Sequence, residues 1–425
     1  MKKQEIRRVL FLIASQNSKE ISLLPKEKID FLSQDSYFLE SIYLQRLSPI
    51  LDEIISKDRK NLLFSESFIE KIKKETNLLQ IKNLNIIGEL FKISEIFNER
   101  NIDYCLLKGP SLALEIYQDV RLRPLRDLDI LVKRNQIKES LVLLEHLNYK
   151  SLEGDSKISG IFTDEDLDHY HHLPALYGPS DVIVEIHSRV TSPKNFKVCP
   201  LSEAMLSNTK EFFYKDFKTY FPSKEDNLLH LAVHSCLQHV FNNGLLTITD
   251  VSMIIKDESL DWDYVRKKSL NPKIGRSILI IMEMLKKHSF LQRNKDLLED
   301  QTILKDLVSI SMRQFFFHEE EHNALKGSRL KLLNSVSITR FISTLMESFF
   351  QHRDSFIRSR RFRNKNFGNY LFFFLYILKK ITLDTGSIVK VFLKKDYKKY
   401  SKDKLRLLDW LDGNNDGIVR STKDL

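Results

Sequence analysis

Apolar residues at helical spacing dominate the first hundred positions of the chain. Ile86, Leu90, Ile93 and Phe97 follow one another at intervals of four, three and four residues, which aligns them on one face of an α-helix. Glycine and proline are nearly absent from this part of the chain. The pattern therefore predicts a helical N-terminal segment over residues 1–100.

After residue 100 the pattern changes to short apolar runs. The run at 104–107 is followed closely by Gly109-Pro110, which favours a buried strand and then a turn. The next predicted elements are a short helix at 111–117, a strand at 128–132, a helix at 136–147, and strands at 172–177 and 182–187 joined by the turn Gly178-Pro179-Ser180-Asp181. These elements predict a compact α+β core over residues 101–200.

The rest of the chain is predicted to be mainly helical. Ser223 lies before a long apolar periodic stretch, with Asp226 three residues on, which is typical of a capped helix start. We expect a helical domain over 201–350 and a basic C-terminal tail over 351–425. The predicted fold class is α+β, a small mixed-sheet core flanked by a helical N-terminal segment and a helical C-terminal domain.

The sequence Arg126-Asp127-Leu128-Asp129 opens the second predicted strand. Side chains alternate along a strand, so Asp127 and Asp129 are expected on the same face, a few ångströms apart. Two adjacent carboxylates are unfavourable unless a cation lies between them. Oxygen ligands of this kind suit Mg²⁺ or Mn²⁺. The pair is therefore a candidate metal site.

A third carboxylate lies in the last predicted strand of the core. Glu185 and His187 share one face of that strand. Three carboxylates on neighbouring strands can hold two metal ions, which activate an attacking hydroxyl and stabilise a leaving pyrophosphate. His187 is either a partner of a metal ligand, a phosphate contact or a half-buried histidine with its hydrogen bonds satisfied.

The end of the first strand has the features of a phosphate-binding turn. Gly109 allows close approach of the backbone, and the helix that starts there offers free N–H groups. Lys108 adds a positive charge, and Ser111 lies one turn further on. These residues are candidates for triphosphate binding.

These motifs, taken in order, resemble a known family of proteins. They are Leu107-Lys108-Gly109 at a strand end, Arg121, Arg123 and Arg126 before Asp127-Leu128-Asp129, and Glu185-Ile186-His187 on a later strand. This order resembles the DNA polymerase β-like nucleotidyltransferase superfamily and, within it, the bacterial family described as uncharacterised nucleotidyltransferase. Residues that resemble the family's helical continuation are Leu228-Leu229-His230, His234, Asp250 and Asp261-Trp262. The resemblance covers residues 80–290.

The resemblance implies a polymerase-β-like core and assigns roles to individual residues. Asp127, Asp129 and Glu185 would be the catalytic carboxylates and metal ligands. Lys108, Gly109 and Ser111 would contact the triphosphate. The charge of Arg123 and Arg126 makes them further candidates for the nucleotide site, together with His187 as a phosphate contact. The implied cofactor is Mg²⁺ or Mn²⁺, and the implied substrate is ATP or another nucleoside triphosphate. This chain has Gly109-Pro110-Ser111 where the superfamily usually has a Gly-Ser or Gly-Gly pair.

Several polar residues allow more than one interpretation. His169, His171 and His172 belong either to a solvated loop or to the active-site face. His230 and His234 are expected to pack against the core and hydrogen-bond to it, since no glutamate completes a zinc motif. Asp250 is expected to cap a helix or pair with an arginine or histidine. The stretch Asp412–Gly417 imitates the start of a calcium loop but lacks the final glutamate, so a polar turn is expected.

Composition narrows the class of protein and its partners. The chain has 425 residues, with only three scattered cysteines and no CxxC, which is typical of reduced thiols in a cytoplasmic protein. Its longest apolar run has nine residues, so we expect no transmembrane span. The net charge is +10, and residues 353–425 alone contain 18 basic against 8 acidic residues. This tail suits an anionic partner such as RNA or a lipid surface.

The sequence therefore predicts a metal-dependent nucleotidyltransferase. It would move a nucleoside monophosphate from a nucleoside triphosphate to an acceptor and release pyrophosphate. The acceptor stays open between a sugar, another small molecule, a protein and RNA. The alternative is a catalytically inactive module of the same fold that binds nucleotide, RNA or a membrane surface through its basic tail.

Overall fold

Five short helices open the chain. The structure is a computed structural model that describes residues 3–59, 61–151, 167–168, 170–193, 195–196, 200–286, 301–316 and 395–413. The first helices are α1 (Lys3–Ala14), α2 (Ser18–Ser22), α3 (Lys26–Gln34), α4 (Ser36–Leu44) and α5 (Ser48–Lys57). Their apolar faces are buried against one another, with Leu10 and Ile13 of α1 fully enclosed. The predicted helical N-terminal segment is confirmed.

The long helix α6 (Glu66–Glu99) connects these helices to the sheet. Its 34 residues span about 50 Å. Ser65 caps the first turn, because its Oγ accepts the N–H of Phe68. The apolar stripe that ends at Phe97 is buried in the same core as the sheet, as its spacing predicts.

A five-stranded mixed sheet lies beside α6. Its strand order is β1-β2-β5-β4-β3. The strands are β1 (Tyr104–Leu107), β2 (Leu128–Val132), β3 (Lys150–Ser151), β4 (Leu176–Tyr177) and β5 (Ile183–His187). β2 is antiparallel to β1 and parallel to β5, and β4 is antiparallel to both its neighbours. The mixed sheet and the α+β class are confirmed, although β4 is shorter than predicted and β3 is not predicted at all.

The two faces of the sheet have different neighbours. Leu128, Ile130 and Val132 of β2 share a buried core with α6 and α8 (Ile137–His146). Because side chains alternate along a strand, Asp129 lies on the opposite face. Glu185 of β5 lies on the same face as Asp129, which makes this the polar face of the sheet.

Helix α7 (Gly109–Ser111) lies between β1 and β2 and is extended by a π-helical turn over Leu112–Ile116. The helices that follow the sheet in the chain are α9 (Pro200–Ser207), α10 (Lys224–Val233) with a π-helical turn over His234–Gln238, α11 (Leu246–Ile254), α12 (Trp262–Lys268), α13 (Pro272–Met284), α14 (Gln301–Gln314) and α15 (Lys395–Asp412). Helix α10 begins as predicted, since Ser223 Oγ accepts the N–H of Asp226 at 3.1 Å.

A two-stranded hairpin, β6 (Lys210–Tyr214) and β7 (Phe217–Phe221), has no counterpart in the sequence prediction. It packs on α6 and beside β1 through buried hydroxyl groups. Thr219 Oγ1 lies 3.0 Å from Ser94 Oγ and 3.3 Å from the hydroxyl of Tyr104. The hairpin therefore extends the core on the side of β1.

The chain divides into two compact units, residues 1–308 and residues 309–425. All the strands and every candidate site residue lie in the first unit. The predicted division into four segments remains a prediction. The basic run at 358–363, the apolar run at 370–378 and most of the imitation calcium loop lie outside the described residues. No helix in the described ranges is long and apolar enough to cross a membrane.

Candidate active site

The parallel pair β2–β5 brings two carboxylates side by side. Asp129 and Glu185 occupy the same register position on adjacent strands. Residues at matching positions of neighbouring strands point to the same face, so both side chains project from the polar face of the sheet. Asp129 is buried, with 5% of its surface exposed, and Glu185 is half-buried. The sheet topology thus joins two motifs that lie far apart in the sequence.

Asp129 lies between two basic groups. Its Oδ2 is 3.1 Å from Lys108 Nζ, and its Oδ1 is 2.8 Å from His187 Nε2. Burial opposes ionisation, but the positive charge of Lys108 and the hydrogen bond with His187 outweigh it and hold the pKa of Asp129 well below its usual range. Asp129 is therefore ionised at neutral pH, and its oxygens keep further lone pairs for a cation.

Glu185 and His187 complete a compact group of ligand atoms around Asp129. One ligand atom each from Asp129, Glu185 and His187 lies within 4.8 Å of the other two. Burial lowers the pKa of His187, but its bond to Asp129 outweighs burial and raises the pKa above the usual value. The two carboxylates are oxygen donors of the kind that suits Mg²⁺ or Mn²⁺, and His187 Nε2 is bound to Asp129 at 2.8 Å. The residues present fit a divalent cation.

Asp127 lies at the edge of this group. It precedes the first residue of β2 and is half-buried. Burial and the neighbouring charge of Asp129 raise its pKa to about 6. The negative charges of Asp129 and Glu185 both act on Asp127, so Asp127 lies near the compact group. It is not among the three residues whose ligand atoms lie within 4.8 Å of one another. Its predicted role as a metal ligand remains a prediction.

The turn after β1 has a strained backbone at Lys108. Its φ and ψ are 52° and −110°, a region that side chains other than glycine rarely adopt. Gly109 follows, and a Cβ atom there would lie 3.1 Å from Arg123 Nη1 and from Leu125 Cδ2. Glycine is therefore required for close packing, and the strained residue directs the Lys108 ammonium to Asp129.

Ser111 lies behind this turn rather than open to solvent. It is fully buried, and its Oγ donates to the carbonyl oxygen of Lys108 at 3.0 Å. Asn227 of α10 approaches the same Oγ at 3.5 Å. The hydrogen bond from Ser111 to Lys108 therefore stabilises the turn. The predicted contact of Ser111 with the nucleotide remains a prediction.

The arginines before β2 have different environments. Arg121 is exposed and pairs with Asp119 at 2.6 Å. Arg123 is buried and binds both carboxylate oxygens of Asp250, each at 2.8 Å. The hydroxyl of Tyr117 donates to the same carboxylate at 2.8 Å. The pairing expected for Asp250 is thus found. Arg123 links the core to α11, which leaves its predicted nucleotide contact a prediction.

Two further arginines, Arg126 and Arg46, act on or are acted on by the charge of Asp127. Arg126 is exposed, directly before the carboxylate. Arg46, from the N-terminal helices, is near enough that the charges of Arg123, Arg126 and Asp127 act on it. The sequence analysis missed Arg46, because it lies 81 positions from Asp127 and no local motif marks it.

Histidines surround the group formed by Asp129, Glu185 and His187. The rings of His171 and His172 lie 5.9 and 5.2 Å from that of His187, which favours the active-site position over a solvated loop. Burial lowers the pKa of His171 to about 3. The whole of His230 is buried on α10, and neither of its ring nitrogens has a hydrogen-bond partner among the described residues. The hydrogen bonds expected for His230 are therefore not found.

A strand-end lysine turn and carboxylates on adjacent strands of a mixed sheet define a nucleotidyltransferase core. The family model for this class, described as uncharacterised nucleotidyltransferase, matches residues 33–289, which is more than half of the chain. The chain belongs to that family, so the resemblance seen in its motifs is confirmed. No curated protein matches the chain.

Proposed function

We propose that the protein transfers a nucleoside monophosphate from a nucleoside triphosphate to an acceptor hydroxyl. The observation that carries this proposal is the register of β2 and β5, which sets Asp129 beside Glu185 and His187. Family membership supports the same class of reaction. A site with ionised carboxylates and a nearby lysine is suited to holding cations and a polyphosphate together.

Asp127, Asp129 and Glu185 would hold one or two Mg²⁺ or Mn²⁺ ions. When bound, these ions supply charge neutralisation at the phosphates and ease deprotonation of the acceptor hydroxyl. His187 orients Asp129 through its 2.8 Å contact and keeps the carboxylate fixed on the face of the sheet. Lys108 supplies a positive charge at the turn, 3.1 Å from Asp129 Oδ2.

Release of pyrophosphate is part of this reaction. One carboxylate, Glu185 or a member of the aspartate pair, would accept the proton of the acceptor hydroxyl as the new phosphoester bond forms. The bond between the α-phosphorus and the bridging oxygen then breaks, and pyrophosphate leaves. Glu185 is half-buried, so its carboxylate is partly accessible to solvent.

Calorimetry with each of the four nucleoside triphosphates, with and without Mg²⁺, tests this proposal. We expect binding that requires the metal in the wild type and is lost in the double variant Asp127→Asn/Asp129→Asn. Asp103→Asn is the matched control, because Asp103 is exposed and pairs only with the surface residue Lys133. Nucleotide binding that neither requires Mg²⁺ nor weakens in the double variant would contradict the proposal.

The alternative, an inactive module that acts through its basic tail, remains a prediction. Residues 353–394 lie outside the described ranges, so the structure provides no test of that tail. Flotation with anionic vesicles, comparing the full chain with residues 1–352, examines it directly. Loss of flotation on truncation would support a tail that binds membranes, and flotation independent of the tail would exclude it.

A further inference from the structure

The middle of helix α6 carries three large apolar side chains that are exposed. Leu78, Ile81 and Leu84 have 55%, 59% and 53% of their surface exposed. Side chains three positions apart are neighbours on a helix, so these residues form one continuous surface, the 78–84 patch. Further along α6, Phe91 stacks on Phe217 of the hairpin, with ring centroids 4.3 Å apart. The hairpin therefore covers apolar surface at that end of the helix and leaves the 78–84 patch open, as is typical of an interaction surface.

A glycine lies beside this patch, in the interior of the 34-residue helix. Gly88 is exposed, and it follows Ile81 by seven residues, which places both on the same face. Glycine destabilises the interior of a helix relative to alanine. A Cβ atom at Gly88 would have no described atom within 4 Å, so no contact in the described fold requires glycine there. The missing side chain does, however, let a second helix approach α6 closely at this point.

The exposed face of α6 is complementary to a second copy of itself in the antiparallel orientation. A two-fold axis between Leu84 and Asn85 places Ile81 of each copy opposite Gly88 of the other. The largest side chain of the face then lies over the position that has none. Leu84 lies next to the axis, so it meets Leu84 of the second copy. The apolar surface is thus covered on both copies by one symmetric contact.

The same register also pairs opposite charges. Lys74 and Glu95 are exposed on this face, two helical turns outside the apolar contact on either side, and neither forms an ion pair within the described ranges. Antiparallel pairing places Lys74 of each copy opposite Glu95 of the other, whereas parallel pairing would place identical charges opposite each other. The outermost exposed residues, Glu70 and Glu99, are like-charged in the antiparallel register, but solvent and salt screen them at the ends of the contact. Charge therefore favours the antiparallel pair.

We propose that two copies of this chain associate through antiparallel pairing of their α6 helices over residues 74–95. The contact would extend over about 33 Å of each helix. The opposite face of α6 stays in the fold, where Asn83 donates to the carbonyl oxygen of Arg123 and accepts the N–H of Leu125. The pairing therefore replaces no contact within the chain, and it does not depend on the proposed nucleotidyl transfer. Since one helix pair is a small interface, we expect a dissociation constant of about 1–100 µM.

Sedimentation equilibrium of the full chain, over protein concentrations of about 1–100 µM, tests the proposal. The decisive variant is Gly88→Gln, which places a long side chain opposite Ile81 of the second copy. It should weaken the dimer at least about tenfold. The control is Leu44→Gln, which removes an apolar side chain that is 70% exposed on α4, and its dimer should stay within about twofold of the wild type.

The choice of Gly88→Gln separates loss of the dimer from loss of the fold. Glutamine is a better helix former than glycine and meets no described atom at this position, so the monomer should become more stable. Urea denaturation at a concentration where the monomer predominates checks this. Wild-type protein that stays monomeric throughout the concentration range, or a Gly88→Gln variant that dimerises as the wild type does, would overturn the proposal.

Charge reversal tests the antiparallel register. Lys74→Glu and Glu95→Lys should each weaken the dimer about 3- to 10-fold, because each places two like-charged pairs across the interface. The double variant Lys74→Glu/Glu95→Lys restores both attractive pairs and should regain the wild-type affinity, as should an equimolar mixture of the two single variants. Lys138→Glu, on the exposed side of α8, is the matched control and should have no effect. A double variant weaker than either single variant would overturn the antiparallel register.

Discussion

At the scale of single residues, the two aspartates of the Asp-Leu-Asp motif differ sharply. Asp129 has its pKa lowered by Lys108 and His187 despite burial, whereas burial and the charge of Asp129 raise the pKa of Asp127. Asp129 is therefore ionised well below neutral pH, whereas Asp127 takes up its proton near pH 6. Loading of a metal ion on Asp127 should therefore release a proton when the pH is at or below about 6.

The substitution Asp127→Asn should stabilise the metal-free protein at pH 7.5. The pKa of Asp127 is raised to about 6 in the folded state, so folding stability falls as the pH rises from the unfolded value of about 4 through 6. Removing the charge should add about 2 kcal/mol to the free energy of unfolding at pH 7.5. Chemical denaturation in the presence of a chelator measures this difference.

The same comparison at pH 4 is the control for Asp127→Asn. There the carboxyl group is protonated in the folded state, and the two proteins should have nearly equal stability. An unchanged free energy of unfolding at pH 7.5 would show that the Asp127 carboxylate is already compensated within the fold.

At the scale of elements, the sequence predicts where strands lie better than it predicts which strands and side chains contact one another. The predicted strands at 104–107 and 128–132 match β1 and β2, because short apolar runs bounded by turn residues mark buried strands. Alternation of side chains predicts that Asp127 and Asp129 share one strand face and that Glu185 and His187 share another. It does not show that the two strands are neighbours, which is seen only in the pairing of β2 with β5. Strand β3 has only two residues and depends on its pairing with β4, so it leaves no pattern of its own.

Side chains that act across long sequence separations escape this kind of prediction. Asp250 lies 127 positions from Arg123, and Asn83 lies 40 positions from the loop that it holds. Only packing of α6 and α11 against the core brings them there. The sequence analysis accordingly assigned Arg123 to the nucleotide and did not consider Arg46.

The buried pair of Arg123 and Asp250 should behave as a unit. Asp250→Asn or Arg123→Met alone should lower the free energy of unfolding by about 3–5 kcal/mol, because each leaves its partner buried without a counter-charge. The double variant Arg123→Met/Asp250→Asn should lose less than the sum of the single losses. Urea denaturation of the four proteins measures the coupling, and additive losses would contradict it.

At the scale of the whole molecule, the first unit contains every element of the proposed site. Residues 1–308 include the sheet, the Lys108 turn, α10 and α11. The second unit, residues 309–425, contributes none of the described site residues. The net positive charge of the chain, in contrast, belongs to residues 353–425. If the chain binds both a nucleotide and an anionic surface, we expect the two activities to be separable by truncation.

A fragment of residues 1–308 should bind metal and nucleoside triphosphate with an affinity within about twofold of the full chain. All proposed contacts lie within this unit, which has its own buried core. Calorimetry on both proteins provides the comparison, with circular dichroism as a control for folding. A loss of affinity greater than tenfold in a folded fragment would show that the second unit contributes to the site.

The register of β2 and β5 also has a kinetic consequence. Asp129 and His187 are 58 positions apart, and they meet only when a parallel strand pair closes across that separation. Such non-local pairing forms slowly, because the entropy of loop closure is lost before the contacts are gained. We expect the helices before the sheet to form through local contacts, independently of this strand pairing. During refolding, the capacity to bind Mn²⁺ should therefore appear after most of the helical signal, and its appearance would report closure of the sheet.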